Sequence, residues 1–131
     1  MTPGPTDLMT EALEARKKAY APYSNFTVGA ALLCDDGTVV PGVNVENGSY
    51  GLTLCAERSA VAAAVTRGLR DFRAIAVVAD TAGPVRPCGA CLQVLAEFSP
   101  DLTVHMGNLK GDVETVALTD LLTRPFQDPA P

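Results

Sequence analysis

The sequence predicts an α/β layer fold built on one mixed five-stranded sheet, and three observations carry that prediction. The apolar patterning gives the order helix, hairpin, helix, strand, helix, strand, strand. One run, Ala-Ile-Ala-Val-Val-Ala from Ala74 to Ala79, is apolar without interruption, as a strand covered on both faces requires. Turn and stop signals at Asp35-Asp36-Gly37, Gly68 and Pro100 separate the segments.

Taken in order, the first helix is expected from about Asp7 to Tyr20, where Leu8, Ala12, Ala15 and Ala19 share a face and Pro22 forbids continuation. Thr27–Cys34 and Thr38–Asn44 read as a hairpin with Asp36-Gly37 near its tip, and Pro41 makes the second strand an edge or bulged one. Cys55 to Arg67 is an alanine-dense helix closed by Gly68, and its small side chains allow close approach to a sheet. Gly89 to Phe98 is a helix stopped by Pro100. Leu102–Met106 and Val113–Leu118 are strands, and Thr119–Leu122 is a last helical turn.

A chain of 131 residues supports a single domain, residues 1–131, with Pro-rich ends at 1–6 and 127–131 expected to fray. No stretch approaches the ~18 apolar residues of a membrane span. Ten basic against fifteen acidic residues give a net charge of −5 with no basic cluster, which disfavours nucleic acid as a partner. Residues 1–9 carry no basic, apolar leader, so a cytoplasmic location with reduced thiols is expected.

Reduced thiols make the cysteine spacing informative. Cys55-Ala56-Glu57 and Pro87-Cys88-Gly89-Ala90-Cys91 each open a predicted helix, where unpaired N–H groups and the helix dipole favour thiolate, the metal-binding form of cysteine. Cys88 and Cys91 are three apart and can converge on one ion, with Cys55 supplying a third sulfur. Three protein ligands leave zinc a fourth position for water, the pattern of a catalytic site. Glu57, two residues from a ligand, can share that cavity only if Cys55 sits on the helix cap. Three thiolates leave the ion net negative, and Arg58 could donate to the sulfurs and restore its acidity.

Each residue also has a plainer reading. Cys88 and Cys91 would suit a redox dithiol or half of a structural zinc site, and Glu57 an acidic first turn. Asn44 and Glu46 alternate with Val43 and Val45 and would suit a solvated strand face, although a carboxamide beside a carboxylate also suits vicinal hydroxyls. Phe26 reads as core, Cys34 as a small buried hydrophobe and His105 as structural.

Taken together, the two cysteine motifs resemble those of the cytidine deaminases in their small form with three zinc cysteines. The resemblance runs from about Ala19 to Phe126 and includes Ala21-Pro22-Tyr23-Ser24-Asn25-Phe26, Asn44-Val45-Glu46-Asn47 and Cys91-Leu92-Gln93-Val94. It implies a three-layer α/β/α fold, one zinc ion per subunit on Cys55, Cys88 and Cys91, and Glu57 as the proton shuttle. Water would attack C4 of cytidine or 2′-deoxycytidine, releasing ammonia and the uracil nucleoside, a step of pyrimidine salvage. Phe26 would pack near the base, Asn44 and Glu46 hold the ribose, and Ala56 belong to the substrate site. Phe126 would cover the base in a neighbouring subunit of a homotetramer. Leu92 stands where many relatives carry arginine, and Thr123 where proline is common.

Three rival functions share these motifs. A deaminase of another cytosine nucleoside, such as blasticidin S, would be favoured by loss of the Asn44/Glu46 pair, which is present. A non-catalytic zinc module would need Cys34 as fourth ligand and Glu57 turned away. A nucleic-acid editor is disfavoured by the acidic charge.

Overall fold

The computed structural model describes residues 4–128. The elements are α1 (Pro5–Arg16), β1 (Val28–Cys34), β2 (Val39–Val43), α2 (Ala56–Thr66), β3 (Phe72–Ala79), α3 (Gly89–Phe98), β4 (Thr103–Asn108), β5 (Val113–Ala117) and α4 (Leu118–Leu121). One sheet of five strands runs β2-β1-β3-β4-β5. Only β3 and β4 are parallel, joined by α3 as a crossover, and the other pairs are antiparallel. The sheet is mixed, as its sequence pattern predicts.

Strand alternation divides the core between the two faces. Ala31, Leu33, Ala74, Ala76 and Val78 pack with Leu8, Met9 and Ala12 of α1. Ala30, Leu32, Ile75, Val77, Val104 and Met106 face α2 and α3, through Ala56, Ala60, Ala64 and Leu95. Two glycines set the spacing of these layers. A Cβ on Gly29 would lie 2.0 Å from the Ala12 carbonyl oxygen, and one on Gly42 would lie 2.3 Å from that of Ala56. Both helices therefore lie against bare backbone, and Gly42 fixes the start of α2.

The hairpin turns at Gly37, whose φ of 92° suits glycine, and Pro41 lies on the outermost strand, where its missing N–H costs no sheet bond. Gly68 (φ 82°) ends α2 in a Schellman arrangement, with Leu69 N donating to Ala64 O and Gly68 N to Val65 O, each at 2.9 Å.

Four expectations need correction. Helix α1 begins at Pro5, two residues before the expected start at Asp7, and Asp7 accepts from the Gly4 N–H at 3.3 Å; residues 1–3 and 129–131 lie outside the described residues. That helix stops at Arg16 rather than Tyr20, because Tyr20 N donates to Asn44 O at 3.0 Å and Tyr20 joins a parallel bridge to Val45. Strand β4 continues past Met106 to Asn108, paired with Ala79. Strand β2 ends at Val43, so Asn44 and Glu46 do not form the solvated face of a strand: Asn44 is buried, whereas Val45 is exposed.

Candidate functional site

Cys55 immediately precedes α2 and Cys88 immediately precedes α3, in nearly the same extended backbone conformation (φ −74°, ψ 156° and φ −73°, ψ 165°). Neither side chain caps a backbone N–H of its own helix, and both sulfurs face the space between the helix starts. Cys91, in the first turn of α3, is fully buried and completes the group. The three sulfurs lie within 4.8 Å of one another, and Cys88 Sγ is 3.4 Å from Cys91 Sγ. Zinc with Zn–S bonds of about 2.3 Å spaces tetrahedral sulfurs roughly 3.8 Å apart, so this donor set fits one zinc ion.

Cys34 does not join it. Its side chain is buried in the hydrophobic core on β1, and among the described residues the ligand group consists of Cys55, Cys88 and Cys91. The four-sulfur structural module loses its fourth ligand, and Glu57 lines the cavity beside the sulfurs instead of turning away.

Arg58 Nη2 donates to Cys55 Sγ at 3.2 Å, and its Nε–H is buried without a protein acceptor. A hydrogen bond with Cys91 and the Arg58 guanidinium together bring the Cys55 thiol down to about 5, against its burial. Cys91 is pushed up by the same hydrogen bond to Cys55, by burial and by the charge of Glu57. A sulfur group that holds a thiolate while its neighbour keeps a proton is one a cation can occupy by displacing that proton. Glu57 is 4% exposed; burial, with the charge of Cys55, pushes its carboxyl up. Burial thus favours the protonated form of a carboxyl that stands beside the sulfurs.

These groups open onto a cavity of about 270 Å³, whose wall includes Phe26, Asn44, Glu46, Cys55, Ala56, Glu57 and Cys88. It lies at the end of the sheet where β1 begins beside the last residue of β3, with Val28 paired to Ala79. A hollow of about 300 Å³ between α1, β2 and α2 contains no cysteine or histidine and has no comparable chemistry.

Asn44 braces the chain on the other side: its Nδ2 donates to Phe26 O at 2.8 Å and its Oδ1 accepts from Val28 N at 2.9 Å. Glu46 Oε1 accepts from the N–H groups of Tyr23 and Ser24 at 3.0 and 3.1 Å, and Oε2 accepts from Ser24 Oγ. Those bonds, led by Ser24, hold the Glu46 carboxyl below the usual range. Both residues thus fix the segment that carries Phe26, a role their sequence pattern does not disclose.

Phe126 lies apart from this cavity. The residue is 75% exposed, while its N–H donates to Gln93 Oε1 and its carbonyl accepts from Gln93 Nε2, both at 2.9 Å. His105 is buried on β4, with Nδ1 2.8 Å from Thr115 Oγ1, and takes no part. Sequence reasoning missed Thr53, Val85 and Arg86, which also line the cavity. Only the proximity of Val85 and Arg86 to the Pro87-Cys88 motif could have drawn attention to them.

The family described as the cytidine and deoxycytidylate deaminase zinc-binding region matches residues 5–106. A cytidine deaminase of Halalkalibacterium halodurans is 57% identical over 120 residues, covering 91% of this chain and 91% of the relative. The crystal structure of cytidine deaminase from Burkholderia pseudomallei superposes with a TM-score of 0.89 at 54% identity, covering 91% of this chain and 96% of that one. A blasticidin-S deaminase of Bacillus cereus is more distant, at 32% identity over 103 residues, with 72% of this chain and 73% of the relative covered.

Proposed function

This chain belongs to the cytidine and deoxycytidylate deaminases, and from that premise we propose how its residues carry out the hydrolysis. The activity is the conversion of cytidine and water to uridine and ammonia. Cys55, Cys88 and Cys91 would hold the zinc ion, which when bound would supply Lewis acidity that makes a water easier to ionise. The observation that carries the residue assignment is a buried carboxyl, Glu57, lining the same cavity as Cys55 and Cys88.

Glu57 takes a proton from the attacking water and delivers one to N3 of cytosine as C4 becomes tetrahedral. It then takes the remaining proton from the C4 hydroxyl and passes it to the amino group, so that the C4–N bond breaks, the C4 carbonyl forms and ammonia leaves. Burial raises the carboxyl above its ordinary range and so favours the protonated form in which it can donate to the base. Arg58 supports the metal by donating to Cys55, offsetting the excess negative charge of three thiolates.

Phe26, on the cavity wall, offers an aromatic face for the base. Ala56 is the first residue of α2, so its N–H has no intrahelical partner and suits a carbonyl oxygen of the base. Asn44 and Glu46 hold the ribose hydroxyls. The carboxamide still has a second N–H and a second lone pair beyond its bonds to Phe26 and Val28. The same chemistry at C4 serves 2′-deoxycytidine, whose base is identical, and places the reaction in pyrimidine salvage.

An apolar ring as exposed as that of Phe126, on a backbone pinned by Gln93, suits burial against a second copy. We therefore read the assembly as a homotetramer in which Phe126 closes a neighbour's cavity. Among the described residues no helix is long and apolar enough to cross a membrane, and three metal-binding thiols suit the reducing cytoplasm.

The test is the loss of cytidine absorbance with wild type and with Glu57→Ala, alongside zinc analysis. The variant is expected to retain its zinc and to lose turnover by roughly 10³-fold or more, since proton transfer and water activation fail together. Turnover near the wild-type rate would overturn the role of Glu57.

A further inference from the structure

Asn108, the last residue of β4, is only 3% exposed, yet its amide makes four hydrogen bonds. Oδ1 accepts from the N–H groups of Lys110 and Asp112, each at 3.0 Å. Nδ2 donates to Asp112 Oδ2 at 2.9 Å and to the Ala82 carbonyl oxygen at 3.1 Å. Three of these bonds close the turn at Gly111. The fourth is different, because it crosses to the segment that links β3 to Cys88.

A second bond reinforces that crossing: Val85 N donates to Gly107 O at 3.2 Å, one residue before Asn108. Val85 and Arg86 both line the cavity that holds Glu57 and Cys88. Apolar contact also holds this wall, since Val85 packs against the core and Pro87 is buried, but such contact leaves its direction along the sheet to polar bonds. Residues 80–87 form no helix or strand, and Ala82 and Gly83 are exposed. The polar anchor that sets the position of Val85 and Arg86 is therefore the end of β4.

We propose that Asn108 is a positioning residue for the nucleoside: it holds residues 80–87 against β4 and so places the Val85–Arg86 wall of the substrate cavity. The inference rests on the substrate cavity assigned above. Asn108 touches no reacting atom. Loosening it should weaken substrate binding while leaving the proton transfers of Glu57 largely intact.

Asn108→Ala removes all four bonds. Asn108→Asp keeps both acceptances from the Lys110 and Asp112 N–H groups and replaces the donor facing Ala82 and Asp112 Oδ2 with an acceptor, so, read against the Asp112 control, it tests the crossing bond even if the alanine variant folds poorly. Asp112→Ala is the control, since it loosens the same turn without touching the bond to Ala82. Each is assayed as the zinc-loaded enzyme, with KM, kcat and zinc content measured on the same sample. Both Asn108 variants should raise KM for cytidine about tenfold with kcat within roughly threefold and zinc unchanged, the signature of lost ground-state binding. Asp112→Ala should keep KM within about twofold. Val85→Ala should also raise KM, and adding Asn108→Asp to it should raise KM by less than the product of the single effects.

A wild-type KM in Asn108→Asp would overturn the proposal, as would equal KM changes in Asn108→Asp and Asp112→Ala, or a fall in kcat that tracks zinc loss. Failure of the deaminase reading would show separately, as absence of cytidine turnover by the wild-type enzyme.

Discussion

Cys55 and Cys88 occupy positions where serine, threonine or aspartate would ordinarily cap a helix, and neither sulfur caps a backbone N–H of its helix. Forgoing such a cap costs a helix about 1 kcal/mol, a loss accepted where a side chain has a ligand to hold. His105 shows a buried polar residue without such a task. Burial pulls its pKa below the ordinary histidine value, and its Nδ1 is bonded to Thr115. Above about pH 6.5 the folded and unfolded chains both carry it neutral. As pH falls below that, the unfolded chain takes up a proton that the folded chain resists, so stability declines until the lower, folded pKa is passed. Urea unfolding of wild type and His105→Asn at several pH values should show this decline reduced in the variant. An identical pH dependence would show that His105 charges freely in the fold.

At the scale of elements, the site depends on how closely α2 lies on β2. A Cβ on Gly42 would meet two backbone atoms, Ala56 O at 2.3 Å and Ala60 N at 2.5 Å, and neither can turn aside as a flexible side chain could. Gly42→Ala must therefore displace the start of α2, which carries Cys55, Ala56 and Glu57. Its stability should fall by at least the 1–3 kcal/mol typical of overpacking, with a concurrent loss of zinc affinity. Gly37→Ala is the comparison: its positive φ strains the hairpin, but open space surrounds the added methyl, so zinc affinity should stay unchanged. Zinc titrations of both proteins, with unfolding curves, would separate the two effects.

These element contacts also mark what could be read from residue order. Strand and helix periods, the Gly68 cap, the edge position of Pro41 and the cysteine motifs are local, and each was legible because a few neighbouring residues determine it. The early end of α1 was not, because it is set by a bond from Tyr20 to Asn44, far along the chain. Asn44 and Glu46 looked like a solvated alternation because nothing local shows that their polar atoms turn back to brace residues 23–28. Val85 reaches the cavity through a bond to Gly107 that has no motif of its own.

For the molecule as a whole, the metal site is also a structural tie. Helices α2 and α3 share one face of the sheet, and their N-terminal ends meet at the three sulfurs. Unfolding separates those sulfurs, so an ion bound only by the folded chain stabilises it in proportion to the logarithm of its concentration over Kd, about 4 kcal/mol at a thousandfold excess. The remaining core, with Leu32, Ile75, Leu95 and Val104 fully buried across both strands and helices, is independent of the ion. Stripping zinc with a strong chelator should thus lower Tm by roughly 10 °C or more while the far-ultraviolet circular dichroism at low temperature stays close to native. Restoring zinc should recover both Tm and activity, whereas magnesium, which prefers oxygen ligands, should recover neither. A Tm unmoved by metal removal, in a protein shown to have lost its zinc, would mean that the sulfurs of Cys55, Cys88 and Cys91 are held in place by the fold alone.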